Sequence, residues 1–238
     1  MRYLILSDIH SNLAALNACI DDAEDKEIDK IICLGDIVGY AAKPNQCIEI
    51  LRKKKAICIL GNHDAACINK IELNWFNSLA RFCIEWTIKE LKKENKEFLL
   101  KLPEKFCTQE FFAVHGSPFS PLKEYMDEEI AFLSFQEISQ NILLCGHSHI
   151  PFIIEQGKEM LPIKGNKAIS LKNSRFVISV PSVGQPRDFD SRAGYAILDL
   201  EKMLIEIYRV KYDIEQTIEE ILSASLPKIF AERLRFGR

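Results

Sequence analysis

All five histidines of this 238-residue chain stand in short polar clusters: Asp8-Ile9-His10, Gly61-Asn62-His63-Asp64, His115-Gly116 and Gly146-His147-Ser148-His149, with a further acid at Gly35-Asp36. Carboxylate, imidazole and amide oxygen without thiolate suit Mn, Fe, Ni, Co or Zn in a reactive site. They do not suit a structural zinc, which cysteines usually close. Asp8, His10, Asp36, Asn62, His115, His147 and His149 make seven potential ligands. One ion with an open position cannot use them all, whereas two ions sharing one carboxylate would. Two such ions about 3.5–4 Å apart form a clamp suited to phosphoester hydrolysis.

The segments that must position these groups read as strands and helices. Apolar runs at Tyr3–Ser7, Ile31–Leu34 and Ala56–Leu60 alternate with helical spacing over Asn12–Asp22 and Pro44–Leu51, a βαβαβ order that implies a parallel sheet. Ligands to such sheets bind beyond the carboxyl ends of the strands, where Asp8, Asp36 and Asn62 fall. Strands at Phe111–Val114 and Ile142–Cys145 end at His115 and His147 in the same way. In an extended chain Asp8 and His10 point to one side, as do His147 and His149. Residues 71–101 carry Trp75, Leu79, Phe82, Trp86, Ile88 and Leu91 at helical spacing. They are read as two helices joined by a solvated turn, and segment 65–105 also as a cap over the site. A helix is expected over Glu128–Gln136. Further β-type runs follow at Ile150–Glu155, Arg175–Val180, Ala193–Leu200 and Met203–Val210, the last two as a hairpin about Glu201-Lys202. A helix over Ile214–Ser223 and a basic tail end the chain. One domain over residues 1–238, with two sheets, accounts for the pattern.

The net charge of -3 argues against a general nucleic-acid binder. Of the eight cysteines, Cys19, Cys33, Cys47, Cys58, Cys83 and Cys145 lie in apolar or amphipathic runs, and no C-x-x-C pair occurs. They are expected to be buried small hydrophobes in a reducing compartment. No apolar stretch reaches the roughly 20 residues of a membrane span, and a leader sequence would cut into Asp8 and His10, so a cytoplasmic protein without a membrane partner is expected.

In their order, D-x-H, G-D-x-x, G-N-H-D, H-G and G-H-x-H resemble the calcineurin-like metallophosphoesterases. Leu34-Gly35-Asp36-Ile37-Val38-Gly39-Tyr40, Val114-His115-Gly116-Ser117-Pro118 and Ser182-Val183-Gly184-Gln185-Pro186-Arg187-Asp188 resemble their small bacterial and archaeal phosphodiesterase branch. The likeness covers residues 1–200. It implies a four-layer α/β/β/α sandwich with two mixed β-sheets. It also implies two divalent metal ions, Mn being expected for activity. One would be held by Asp8, His10, Asp36 and His149, the other by Asp36, Asn62, His115 and His147, with Asp36 as the bridge. His63 would face the substrate phosphate and protonate the leaving group, oriented by Asp64. A hydroxide bridging the metals would attack phosphorus in line, so Ser7, Ser148 and Ser182 are read as supporting or turn residues. From its own position Asp64 also reads as a helix cap before Ala65-Ala66-Cys67. Arg187 reads equally as a phosphate contact beside Asn62 and His63, or as a salt-bridge partner of Asp188 or Asp190.

Two departures bear on the reading. Gly39 stands where other branches have a second acid, as it does in the small-phosphodiesterase branch. Ser179-Val180-Pro181 replaces the usual Asn-Pro-Gly or Asn-Val-Gly turn, which bears on substrate positioning. A protein phosphatase is disfavoured because that branch reads G-D-x-V-D-R-G and G-N-H-E. A non-catalytic assembly scaffold is disfavoured because every ligand position is filled. The expected partner is a small phosphorylated substrate such as a dinucleoside polyphosphate, a cyclic nucleotide or another phosphodiester. No stable nucleic-acid complex is expected, and oligomeric state is left open. Trp75, Phe76 and Tyr125 are candidates to stack on a base, with core burial the alternative for Trp75 and Phe76.

Overall fold

A computed structural model describes residues 1–238. The amino-terminal half runs β1 (Arg2–Leu6), α1 (Leu13–Ala23), β2 (Lys30–Cys33), α2 (Pro44–Lys53), β3 (Ile57–Cys58), α3 (Asn62–Cys67), α4 (Ser78–Glu90), α5 (Lys93–Leu100), β4 (Lys105–Cys107) and β5 (Phe111–Val114). There follow α6 (Glu128–Glu137), β6 (Ile142–Cys145), β7 (Phe152–Glu155), β8 (Leu161–Pro162), β9 (Lys167–Ser170), β10 (Phe176–Ser179), β11 (Ala193–Asp199), β12 (Leu204–Val210), α7 (Ile214–Ser223) and α8 (Lys228–Glu232).

Two six-stranded sheets form, in the orders β3-β2-β1-β11-β12-β9 and β4-β5-β6-β10-β7-β8. Both are mixed. β1, β2 and β3 are parallel, as the βαβαβ pattern predicts, while β11 joins β1 antiparallel. In the second sheet β5, β6 and β10 are parallel and β7 runs against β10.

Alternation along β1 shows how the layers are made. Tyr3 and Ile5 face the second sheet, with Ile32, Leu34, Phe111, Ile142, Leu144 and Ile178 in the same buried cluster. Leu4 and Leu6 face outward into a cluster with Leu16, Ile48 and Leu51 of α1 and α2. The outer face of the second sheet is covered by α6 through Ala131 and Phe135. A strand buried on both faces must be apolar at every position, which is why these runs read as continuous rather than alternating. Each fully buried Leu or Ile contributes about 1.5–3 kcal/mol, so both the sheet–sheet layer and the helix-covered layer add substantially to stability.

Three strands were absent from the sequence reading. β4, β8 and β9 are edge strands and carry exposed lysine, leucine and serine, so no apolar run marks them. The basic tail is also corrected. It folds as α8 and a 3-10 turn, Arg233–Phe236, with Phe230, Ala231 and Leu234 buried against Ala80 and Cys83 of α4 and against Tyr40. Phe230 and Leu234, four apart on one helical face, supply that burial among surrounding charges. Seven of the eight cysteines are buried and none forms a disulfide; Cys107 is exposed. No helix is long and apolar enough to cross a membrane.

Candidate metal centre

The loops after β1, β2, β3, β5 and β6 meet at one edge of the two sheets, and all seven predicted ligands arrive there buried. Ligand atoms of Asp8, His10, Asp36 and His149 lie within 4.8 Å of one another, and so do those of Asp36, His115 and His147. Asp36 belongs to both groups. Its Oδ2 lies 3.4 Å from Nε2 of His10 and 3.4 Å from Nε2 of His115. Asn62 Oδ1 completes the second group, 3.1 Å from His115 Nε2.

The extended geometry expected for Asp8-Ile9-His10 and His147-Ser148-His149 is not found. Asp8, His10, Ser11, Asp36, Tyr40, His147 and His149 all have left-handed backbone conformations, with φ between 48° and 65°. Such a conformation costs roughly 1 kcal/mol or more per non-glycine residue. It persists because the loops hydrogen-bond to one another. His10 N–H donates to Asp36 O (2.9 Å), Ser11 N–H to Ile37 O (2.9 Å) and His147 N–H to Asp8 Oδ1 (3.2 Å). The paired ligands therefore converge because each chain turns back on itself beyond its strand.

The imidazole orientations are informative. Nδ1 of His10 faces Val38 O (3.2 Å), Nδ1 of His149 faces Gln185 O (2.6 Å) and Nδ1 of His115 faces Leu34 O (2.8 Å). Each must donate there, so in the neutral ring Nε2 carries a bare lone pair. Yet Nε2 of His10 and His149 face each other at 3.1 Å, and Nε2 of His115 faces the Asn62 and Asp36 oxygens. Asp8 Oδ2 and His147 Nε2 are buried without a protein partner. Acceptors aimed at acceptors in a buried site are repulsive unless a cation lies among them, so the donor set fits a divalent metal.

Without a metal, the conflict at His115 is relieved by a proton, which a bound cation would displace. Burial pushes Asp8 up to about 6, against the pull of His115. Burial also opposes charge on His115, but Asp36 outweighs it and pushes the group up to about 9. Burial would raise Asp36, yet His115 and His63 hold its carboxyl well below the usual range. Burial lowers His10, His147 and His149, leaving neutral rings able to ligate.

His63 lies beside this cluster and its ring is buried. It packs edge-on to His10 (4.8 Å between centroids) and Phe76 (5.2 Å) and against Tyr40 (4.5 Å), and its Nδ1 has no partner. Burial lowers its pKa to about 4, opposed by Asp36. The expected bond from Asp64 to His63 is absent. Asp64 instead accepts the amides of Ile37 (3.2 Å), Val38 (3.0 Å) and Gly61 (3.1 Å). It stands inside the first turn of α3 rather than before it, and it locks the Asp36 loop to that helix. The carboxylate against His63 is Asp36, whose Oδ1 accepts the His63 amide at 2.9 Å. Gly39 sets the other wall. Its φ is +108°, and an added Cβ would lie 2.5 Å from His63 Nδ1. Gly39→Ala is expected to cost about 1–3 kcal/mol through strain and overpacking, a fall of roughly 3–10 °C in Tm at this chain length. Thermal denaturation measures it; an unchanged Tm would show that His63 has room to move.

Above the ligands lies a cavity of about 230 Å³, lined in part by Asn62, His63, Trp75, Phe76, Tyr125 and Arg187. Tyr125 stacks on His147 at 4.1 Å and is exposed, while Phe76 is half-buried. Trp75 is 41% exposed, so the core reading fails for it. Of segment 65–105, Trp75, Phe76, Asn77 and Ala80 reach this cavity, while Leu91, Leu99 and Leu102 are buried in the outer helical layer. Arg187 forms neither expected salt bridge: Asp188 pairs with Arg209 and Asp190 with Arg192 (2.6 Å). Its Nη2 donates to Gln185 Oε1 (2.9 Å) and its guanidinium lies 5.9 Å from the centre of the Tyr40 ring. Ser182 and Ser148 are turn residues: Ser182 donates to Asp8 O, and Ser148 bonds to Ile150 O and Ser179. Val180 and Pro181 of the altered turn are buried, and Pro181 packs on Gly194.

A family model for the calcineurin-like phosphoesterase superfamily domain matches residues 1–203. The chain belongs to that superfamily. The uncharacterised protein MJ0912 of Methanocaldococcus jannaschii is 38% identical over 244 residues, covering 98% of this chain and 97% of its own. The crystal structure of a metallophosphoesterase from Sphaerobacter thermophilus superposes with a TM-score of 0.91 at 36% identity, covering 100% and 99% of the two chains. Protein PH1004 of Pyrococcus horikoshii shares the fold, with a TM-score of 0.81 at 21% identity over 100% and 98%. Within this phosphoesterase family the loop-edge cluster is a candidate metal site.

Sequence reasoning did not single out Val38, Leu34 and Gln185 as orienting groups, because they act through main-chain carbonyls that no side chain announces. Tyr40, which touches both His10 and His63, was visible only as part of a family-like segment.

Proposed function

We propose that this protein is a phosphodiesterase working with two divalent metal ions on a small, nucleotide-type substrate. The observation that carries this is the division of the ligand atoms into two groups that share Asp36. Asp8, His10, Asp36 and His149 would hold one ion; Asp36, Asn62, His115 and His147 would hold the other. When bound, the metals would lower the pKa of water to supply the nucleophile and neutralise the phosphoryl oxygens. Val38, Gln185 and Leu34 keep three imidazoles in the ligating tautomer. His63 lines the cavity beside Asp36 and is positioned to give a proton to the leaving oxygen once the phosphate charge offsets the burial that lowers its pKa. Arg187 contacts the substrate phosphate, and exposed Trp75 and Tyr125 offer faces for a base.

A screen of phosphomonoesters, phosphodiesters and dinucleoside polyphosphates with Mn-loaded protein, beside elemental analysis, tests this. The expected result is about two ions per chain, diester hydrolysis above monoester hydrolysis, loss of turnover on chelation and recovery with Mn. A protein that binds no more than one ion, or hydrolyses none of these, would overturn it. The second outcome would favour a non-catalytic scaffold.

A further inference from the structure

Beside the candidate metal cavity, and sharing Tyr40, Asn77 and Arg187 with it, lies a second cavity of about 560 Å³ whose far wall is the carboxyl-terminal helical segment. At their junction two guanidiniums converge on one neutral oxygen. Arg187 Nη2 and Arg233 Nη1 both donate to Gln185 Oε1, at 2.9 and 3.3 Å. The nearby acids are engaged elsewhere, Asp188 with Arg209, Asp190 with Arg192 and Glu232 with Lys228. Arg233 Nε donates to the main-chain oxygen of Arg238, while Arg187 Nε is buried with no partner. Burial, and after it the neighbouring Arg187 charge, lower the Arg233 pKa to about 10. Both guanidiniums also act on the Tyr40 phenol, pulling against the burial that raises it.

Two half-buried cations sharing an amide oxygen repel each other, a conflict that local stability does not explain and that an anion would relieve. Guanidinium forks match phosphate oxygens in geometry as well as charge. Tyr40 spans the gap to the candidate metal centre, since its ring packs on His10 (4.6 Å), His63 (4.5 Å) and Phe230 (4.6 Å).

We propose that Arg187, which borders both cavities and so lies between neighbouring phosphates, forms with Arg233 a second anion subsite, so that the substrate carries a further phosphate beside the one that meets the metal ligands. This rests on the phosphodiesterase reading and narrows it to substrates with at least two phosphates, with the attached group lying along Leu79, Phe230 and Phe236. A cyclic mononucleotide, with one phosphate, cannot occupy both places.

The test compares kcat/KM for diadenosine tetraphosphate and for bis(4-nitrophenyl) phosphate, using the metal-loaded enzyme, Arg233→Gln and Arg233→Lys. Removing a charge-assisted contact is expected to lower the ratio of the two values about 10- to 100-fold in Arg233→Gln. The loss should fall mainly on KM for the tetraphosphate, and Arg233→Lys, which keeps the charge, should recover part of it. Competitive inhibition by inorganic pyrophosphate should weaken more than inhibition by orthophosphate. A ratio that does not move in either variant overturns the subsite. So does a wild-type enzyme that hydrolyses the nitrophenyl diester but not the tetraphosphate. Hydrolysis of neither substrate by the wild type would instead defeat the phosphodiesterase reading, and the subsite with it.

Discussion

Asp36→Asn is expected to leave a folded protein that retains one metal ion or none and turns over phosphodiesters roughly 10³-fold more slowly, the equivalent of several kcal/mol of transition-state stabilisation. The reason lies in the two oxygens of this carboxylate. Oδ1 accepts the His63 amide, a bond that an asparagine oxygen can keep, so the junction of β2 and α3 should survive. Oδ2 is the atom common to both ligand groups, and an amide nitrogen there has no lone pair for a cation. It would instead donate towards Nε2 of His10, a lone pair otherwise aimed at His149, while His115 loses the carboxylate that favours its charged form. The metal-free variant should still unfold in one cooperative transition, showing that metal and not the fold has been lost. Elemental analysis, steady-state kinetics and thermal denaturation in chelator test the three parts. Two tightly bound ions in Asp36→Asn would refute the bridging role.

His63→Ala should separate chemistry from metal binding. General acid catalysis contributes about 10²–10⁴-fold, so turnover of an alkyl or nucleoside ester should fall by that order. Metal content should hardly change, because the imidazole lies outside both ligand groups. The loss should be much smaller for a 4-nitrophenyl ester, whose leaving oxygen needs no proton. That dependence on leaving group distinguishes a proton donor from a residue that only fills space against Tyr40, Phe76 and Gly39. Equal losses for both esters would assign His63 a packing role, and full activity would remove it from the reaction.

Asp64 shows where family resemblance and physical position diverge. A carboxylate next to a histidine in sequence invites the assumption that the two are bonded. Here the backbone of α3 turns Asp64 away, towards three amides that would otherwise be buried without acceptors. Burial, and after it Asp36, push its pKa up to about 7, against the pull of those three amide bonds. Its contribution to His63 is indirect, through the loop that carries Asp36.

The sequence by itself determined the βαβαβ succession of the first half, the chemistry of the ligands and their arrival at one sheet edge. Buried strands need long apolar runs, and metals need particular donor atoms, and both are written in residue type. Only the tertiary structure decided how the ligands converge. Asp8, His10, His147 and His149 sit in left-handed turns held by hydrogen bonds between loops, where an extended strand end was expected. Three main-chain carbonyls choose the imidazole tautomers, and carbonyls carry no residue-type signal. The carboxyl-terminal segment read only as a basic tail, with no element assigned, because its few apolar residues are interleaved with charge. Long-range burial of Phe230 and Leu234 folds it beside the candidate metal cavity and brings Arg233 to Arg187, 46 positions earlier in the chain. Local spacing can specify a ligand pair, but two arginines that distant become neighbours only when the core between them has formed.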